Sequence, residues 1–255
     1  MRRVTYGNRG RPRSVALDLE ELVLILQGAI ESVDAERFVL ERDQREAPQE
    51  LSEYARAGSY EVSVVGRFHT LAQRWLERQK LAAVWERPVA KRTSGSGRHP
   101  TIDISLFGEV APVNDGDPPT KREVRLEFGF FEIASPKRPS TRRVDPSKLR
   151  GDAEKLFDLR AATSPVAGPI EIENYILLWR IANEKNTGDN LKWHHRALTT
   201  SANVATTDST FHGIQIEHLL TSSVDLIAAR TNEHRVAYVG VFSVVGQPAP
   251  TAAMP

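Results

Sequence analysis

The sequence predicts an α/β protein, and three observations carry that reading. Two helical stretches near the N-terminal end give way at residue 81 to segments in which apolar residues recur at every second position. The run IENYILLWRIA (172–182) has too few polar interruptions for an edge strand and reads as a buried central one. Helical and strand patterns then keep exchanging up to residue 245, as expected of helices packed on a sheet.

Residues 1–14 hold five arginines and no acid, with Gly, Asn and Pro between them, and read as a disordered basic arm. From Asp18 to Glu46, Leu22, Leu26, Ala29, Val33 and Leu40 recur at helical spacing, and Pro48 closes the segment. This long N-terminal helix is set out as an extension over 15–50, with a homodimer through 18–46 as one use of its seam. A second helix spans Tyr60 to Lys80, with Val64, Val65, Phe68, Leu71, Ala72, Trp75 and Leu76 on one face.

Strands follow at 81–90 and 99–108, separated by the basic turn KRTSGSGR. In the second of these strands Ile102, Ile104 and Leu106 alternate with Thr101, Asp103 and Ser105. The Pro- and Gly-bearing stretch 109–122 reads as a loop. A strand at 123–134 puts Val124, Leu126, Phe128 and Phe130 on one side and Glu123, Arg125, Glu127 and Gly129 on the other. After a proline-broken basic loop, 147–162 is a helix with Leu149, Ala153, Leu156 and Phe157 inward and Lys148, Asp152 and Lys155 together on the opposite side. Residues 183–210 show no clear period; a helix at 209–226 and a strand at 235–245 complete the α/β domain of 51–246, and 247–255 is a tail.

The composition narrows the function. Lys and Arg number 34 against 33 Asp and Glu, yet the positive charge is blocked into 1–14, 87–98 and 136–150. There are no cysteines, so disulfides, Cys-ligated zinc, iron–sulfur clusters and thiol nucleophiles are excluded. The longest apolar run lies within 22–30, far short of the ~20 residues that cross a bilayer, and a cytoplasmic address is expected. A G-x-S-x-G elbow is missing, and the GSGR at 95–98 lacks the lysine and the helix of a phosphate cradle. His194 and His195 are adjacent and His212 and His218 six apart, poor spacings for chelation, so they read as structural. His99 stands before the Asp103 strand, where a loop-end hydrogen bond or a phosphate contact would suit it.

The chemistry points to Asp103 and Glu127. Each is a carboxylate on a strand of otherwise buried pattern, and a lone buried carboxylate is costly without a cation. Side by side they would offer the hard oxygens that Mg²⁺ or Mn²⁺ prefers, with room for waters and a phosphate. The alternative is that each caps a strand end or pairs with an arginine such as Arg125.

These residues resemble the PD-(D/E)xK superfamily of restriction-endonuclease-like nucleases. Pro100-Thr-Ile-Asp103 resembles the first half of its motif and Glu127-Phe-Gly129 the second, over roughly 60–180, with the 147–162 helix standing where the family has one. The resemblance implies a three-layer α/β sandwich with a central mixed sheet, Mg²⁺-dependent phosphodiester hydrolysis, and a metal held by Asp103 and Glu127, with Glu61 resembling the extra helix-borne acid of some members. One departure stands out. Gly129 occupies the position of the family's lysine and can neither orient water nor stabilise charge. Three readings stay open: the role has moved to Lys148 or Lys155, Glu123-Val-Arg125 is the true half-motif, or turnover is lost. A bulge at Gly129 that turns Glu132 onto the same face is a further way to read the local pattern.

Arg9-Gly10-Arg11-Pro12, followed by Arg13, resembles the core of AT-hook peptides, which lay arginines in the minor groove of A·T-rich DNA. With Lys91, Arg92, Lys137, Arg138, Arg142 and Arg143, this arm would grip the backbone of double-stranded DNA. The competing expectations are a nucleic-acid-binding or assembly module without turnover on the same fold, and an interaction protein that works through its first helix.

Overall fold

The computed structural model describes residues 3–7, 17–43, 59–88, 101–110, 120–131, 146–158, 170–207, 213–226 and 235–246. Seven strands form one sheet: β1 (Arg3–Gly7), β2 (Ala82–Pro88), β3 (Thr101–Val110), β4 (Thr120–Phe130), β5 (Ile170–Asn183), β6 (Ile214–Asp225) and β7 (Arg235–Gly246). Among the described residues, four helices cover it: α1 (Leu19–Asp43), α2 (Ser59–Gln79), α3 (Pro146–Asp158) and α4 (Gly188–Thr207). The sheet order is β1-β6-β7-β5-β4-β3-β2, with β4 and β5 parallel and every other neighbour antiparallel. The parallel pair is bridged by α3, which comes between β4 and β5 in the chain.

Each sheet face has its own core. On one side α1 and α2 pack Leu22, Leu26, Ile30, Phe68 and Trp75 onto Leu126, Phe128, Trp179 and Val239. On the other, α3 and α4 pack Leu149, Ala153, Leu156, Leu191 and Leu198 onto Ile176, Leu178, Tyr238 and Phe242. Residues of β4 and β5 therefore alternate between the two cores, as the pleat requires, and Glu127 and Gly129 fall on the α3 side.

The ends of the helices are set by local chemistry. The Asp18 carboxylate accepts the N–H groups of Glu20 and Glu21 at 3.1 Å each and caps α1. Thr187 caps α4 through the Asn190 N–H at 3.2 Å. α2 ends where Lys80 turns to φ 53°, with Leu81 N–H bonded to the Leu76 carbonyl and Lys80 N–H to that of Glu77, the Schellman arrangement.

Several expectations change. Arg3–Gly7, read as part of a disordered arm, pair antiparallel with β6 as an edge strand. In α1, Leu22, Leu26, Ala29, Ile30 and Val33 share one core cluster with α2 and the sheet of the same chain. The segment 183–210, without a visible period, contains α4, and the helix expected at 209–226 is the strand β6. Both errors share one cause. The buried side of α4 is built from Leu191, His194, Ala197, Leu198, Ser201, Ala202 and Ala205, and that of β6 includes His218, Thr221, Ser222 and Ser223, so polar and small residues do the burying and hydrophobic counting misses them. β3 and β4 also run further than expected, to Val110 and from Thr120, into the stretch read as a loop.

Candidate functional site

The site lies where β3 and β4 part company. Their ladder pairs Ile104 with Leu126 and ends there. One residue further on, the Asp103 side chain takes over from the backbone: its Oδ2 accepts the Phe128 N–H at 2.7 Å. Glu127 lies on the α3 side of β4 with its side chain 2% exposed. On the neighbouring edge strand β2, Glu86 has φ 45°, left-handed backbone that a non-glycine residue adopts at some cost, and its charge is felt by Asp103.

Two helices complete the cluster. From the first turn of α2, the Glu61 carboxylate accepts the Phe130 N–H at the end of β4 and senses Asp103, Lys148 and Lys155. From α3, Lys148, Asp152 and Lys155 project to the same place, because spacings of four and three residues stack side chains on one helix face. Lys155 Nζ donates to Glu127 Oε2 at 2.6 Å, and Lys148 Nζ lies 3.6 Å from Asp152 Oδ2. Glu127 Oε1 and Asp152 Oδ2 are buried without a hydrogen-bond partner.

Burial sets the protonation of these acids. It raises Glu127, with further upward pressure from Asp103, to about 8 against the downward pull of Lys155. Asp152 is pushed up to about 6, again by burial first, with Lys148 and Lys155 opposing. Asp103 and Glu61 are raised for the same leading reason. Four carboxyl groups in partial shelter, offset by two ammonium groups, make a site that favours added positive charge.

Gly129 explains how Lys148 arrives. A Cβ at Gly129 would lie 2.6 Å from Lys148 Nζ and closer still to its Cε, so the lysine end fills the volume that any side chain at 129 would claim. The end of a helix-borne lysine thus lies over β4 at Gly129.

The alternatives raised by the sequence sort themselves on this geometry. Glu123 and Arg125, two residues apart on β4, form an ion pair, 2.5 Å from Glu123 Oε1 to Arg125 Nε, with both side chains at most 1% exposed. Neither Asp103 nor Glu127 is tied to that arginine. Arg9, Arg11, Arg13, Lys91, Arg92, Lys137, Arg138, Arg142 and Arg143 lie outside the described residues, as do Glu132, His99 and His212. Asp152 and Glu86 were missed as site residues; for Asp152 the signal was its spacing between two lysines.

A second polar cluster lies on the same sheet face. His194, 1% exposed, stacks flat on Tyr238 with ring centres 3.6 Å apart, and its Nδ1 is 2.8 Å from the Asn190 carbonyl. His195, next in the chain, turns instead to His218, ring centres 4.7 Å apart. His218 engages both ring nitrogens: Nδ1 is 2.8 Å from the Thr199 hydroxyl and Nε2 is 2.9 Å from that of Thr221. Burial lowers His194 to about 4 and His218 to about 3. His194 and His218 are buried and His195 half-buried, and the His195–His218 contact was not visible in the sequence.

Fold and site together define a mixed α/β protein with a buried carboxylate–lysine cluster at the carboxyl end of a parallel strand pair, a usual place for ligands in sheets of this kind. No family model, curated protein or solved structure matches the chain. Among the described residues, no three His, Asp or Glu side chains form a ready-made ion cage, and no helix is long and apolar enough to cross a membrane.

Proposed function

We propose that this chain hydrolyses phosphodiester bonds in DNA with the help of Mg²⁺ or Mn²⁺, on a restriction-endonuclease-like arrangement of its α/β core. The observation that carries the proposal is the packing of the Lys148 side-chain end into the space over Gly129, on the strand that also carries Glu127. It supplies from a helix the cation whose absence from the strand was the one serious departure from the motif.

Asp103 and Glu127 would hold the divalent ion, with Glu61 close enough in charge to contribute through water. The residues suit such an ion: they are hard oxygen donors, and Glu127 Oε1 is buried and unpartnered. Two protein carboxylates with waters and a substrate phosphate are an ordinary Mg²⁺ environment, which needs no three-residue cage. When bound, the ion lowers the pKa of a water and offsets charge on the phosphoryl oxygens.

The chain's own residues do the rest. The Phe128 N–H fixes the Asp103 carboxylate, and the Phe130 N–H fixes that of Glu61, so both acids are aimed before substrate arrives. Lys148 orients the attacking water and donates to the oxygens of the five-coordinate phosphorus. The basic stretches around 1–14, 87–98 and 136–150 would hold the duplex by its phosphates.

The direct test is incubation with plasmid and Mg²⁺ or Mn²⁺ beside Asp103→Ala and Lys148→Ala. Cleavage by the parent chain and its loss in both variants supports the proposal. Tight, salt-sensitive binding with no cleavage supports the second reading, a nucleic-acid-binding module without turnover, which glycine at the motif lysine position favours.

A further inference from the structure

Resting on the metal-dependent reading above, we propose that Lys155 is the internal counter-ion of the carboxylate site, and that its ammonium moves to Asp152 when a divalent cation takes its place on Glu127. The two lysines of α3 then have different work: Lys148 serves the reaction, and Lys155 sets how tightly the cation is held.

The argument begins with cost. A carboxylate as buried as Glu127 is costly to ionise without a positive partner, and Lys155 stands ready at 2.6 Å on Oε2, while Oε1 has none. A divalent cation on Glu127 would face the ammonium across a single carboxylate, and like charges that close repel strongly in a sheltered site. Lys155 must therefore leave, and leaving is feasible: its side chain is 24% exposed, on a flexible four-carbon stem.

Its destination is on the same helix. Asp152 lies three residues before Lys155, within reach of an i,i+3 contact. Its Oδ2 is buried, lacks a hydrogen bond, and stands 3.6 Å from Lys148 Nζ, too far for a formed one. Lys148 is its nearest positive charge but makes no hydrogen bond to it and is seated over Gly129, so Asp152 keeps the capacity to take the expelled ammonium. Cation binding becomes an exchange in which every buried carboxylate keeps a positive neighbour.

Isothermal titration with Mn²⁺ tests this on the full chain, for the parent, Lys155→Met, Asp152→Asn, the double variant and Asp103→Ala, each checked for a cooperative melt. Removing the internal competitor should tighten Mn²⁺ binding roughly tenfold in Lys155→Met. Asp152→Asn should weaken binding in the parent background and leave the Lys155→Met background unchanged, since no ammonium then needs a new partner. Should Lys155→Met fail to fold, Lys155→Gln, which can still donate to Glu127 without the charge, carries the same expectation. Unchanged or weaker Mn²⁺ binding in the lysine variants overturns the inference, as does an Asp152→Asn effect of equal size in both backgrounds. Undiminished Mn²⁺ binding by Asp103→Ala overturns instead the metal site on which the inference rests.

Discussion

The carboxylate–lysine cluster and the histidine cluster occupy the same face of one sheet, yet they treat burial in opposite ways. The histidines are neutralised and absorbed: His218 finds a threonine hydroxyl for each ring nitrogen, and His194 lies flat on Tyr238. The acids are not absorbed, since Glu127 Oε1 and Asp152 Oδ2 keep buried lone pairs unused and Glu86 carries strained backbone beside them. Unused hydrogen-bonding atoms occur in both, His194 Nε2 included; what separates the clusters is charge, since burial leaves the histidines neutral while the acids gather beside two lysine ammonium groups.

The sharpest way to break this contrast is substitution at both clusters. Asp103→Ala or Glu127→Gln should lower the rate of plasmid cleavage by about 10²–10³-fold or more with the melt preserved. His218→Ala should do the reverse, leaving the Thr199 and Thr221 hydroxyls without their partner and costing about 2–3 kcal/mol in denaturant titration, with cleavage per folded molecule retained. Equal loss of turnover in both would end the distinction.

A lysine transplant is the next test. Gly129→Lys combined with Lys148→Ala moves the ammonium from α3 back to β4, and should recover much of the cleavage lost in Lys148→Ala alone. Gly129→Ala should fold, because only the flexible end of Lys148 and, at 3.1 Å, Leu178 Cδ2 stand in the way, but should cleave poorly through displacement of that lysine. Full activity in Gly129→Ala would show that the position of Lys148 is unimportant.

The two clusters also bend the pH dependence of stability in opposite senses. In the metal-free protein Glu127 keeps its proton to about 8, against 4.5 for an ordinary glutamate, so the folded chain binds more protons through that window and loses stability as pH rises across it. His194 and His218 are depressed from 6.5 to about 4 and about 3, so the unfolded chain gains protons first and stability falls as pH drops below about 6.5. Thermal melts of Glu127→Gln should show a smaller alkaline loss, with Tm at pH 8.5 higher than the parent by roughly 2–4 °C. The acid limb should be unaffected by that change and reduced by replacing His218.

How much was legible follows from which residues did the burying. Where branched and aromatic side chains fill the core, as along α2, β4 and β5, apolar spacing located the element and most of the facing side chains, though Leu71 and Phe130, expected inward, are exposed. Where Ser, Thr, Ala and His fill it, as on α4 and β6, the period vanished and one element was missed and the other mistyped. At the site, the two strand acids could be named from the expense of burying them. Glu86 gave no such sign, because its backbone conformation depends on its place at the sheet edge.

The sequence by itself determined the α/β class, the helix face that gathers Lys148, Asp152 and Lys155, and the strand positions of Asp103 and Glu127, since these follow from periods of 3.6 and 2 that any local backbone obeys. Only the tertiary structure decided that α3 packs so close to β4 that a helix lysine fills the space over Gly129, that α1 spends its seam on its own sheet, and that His195 meets His218. Those are long-range contacts, set by how the layers close on one another, and no local spacing encodes them.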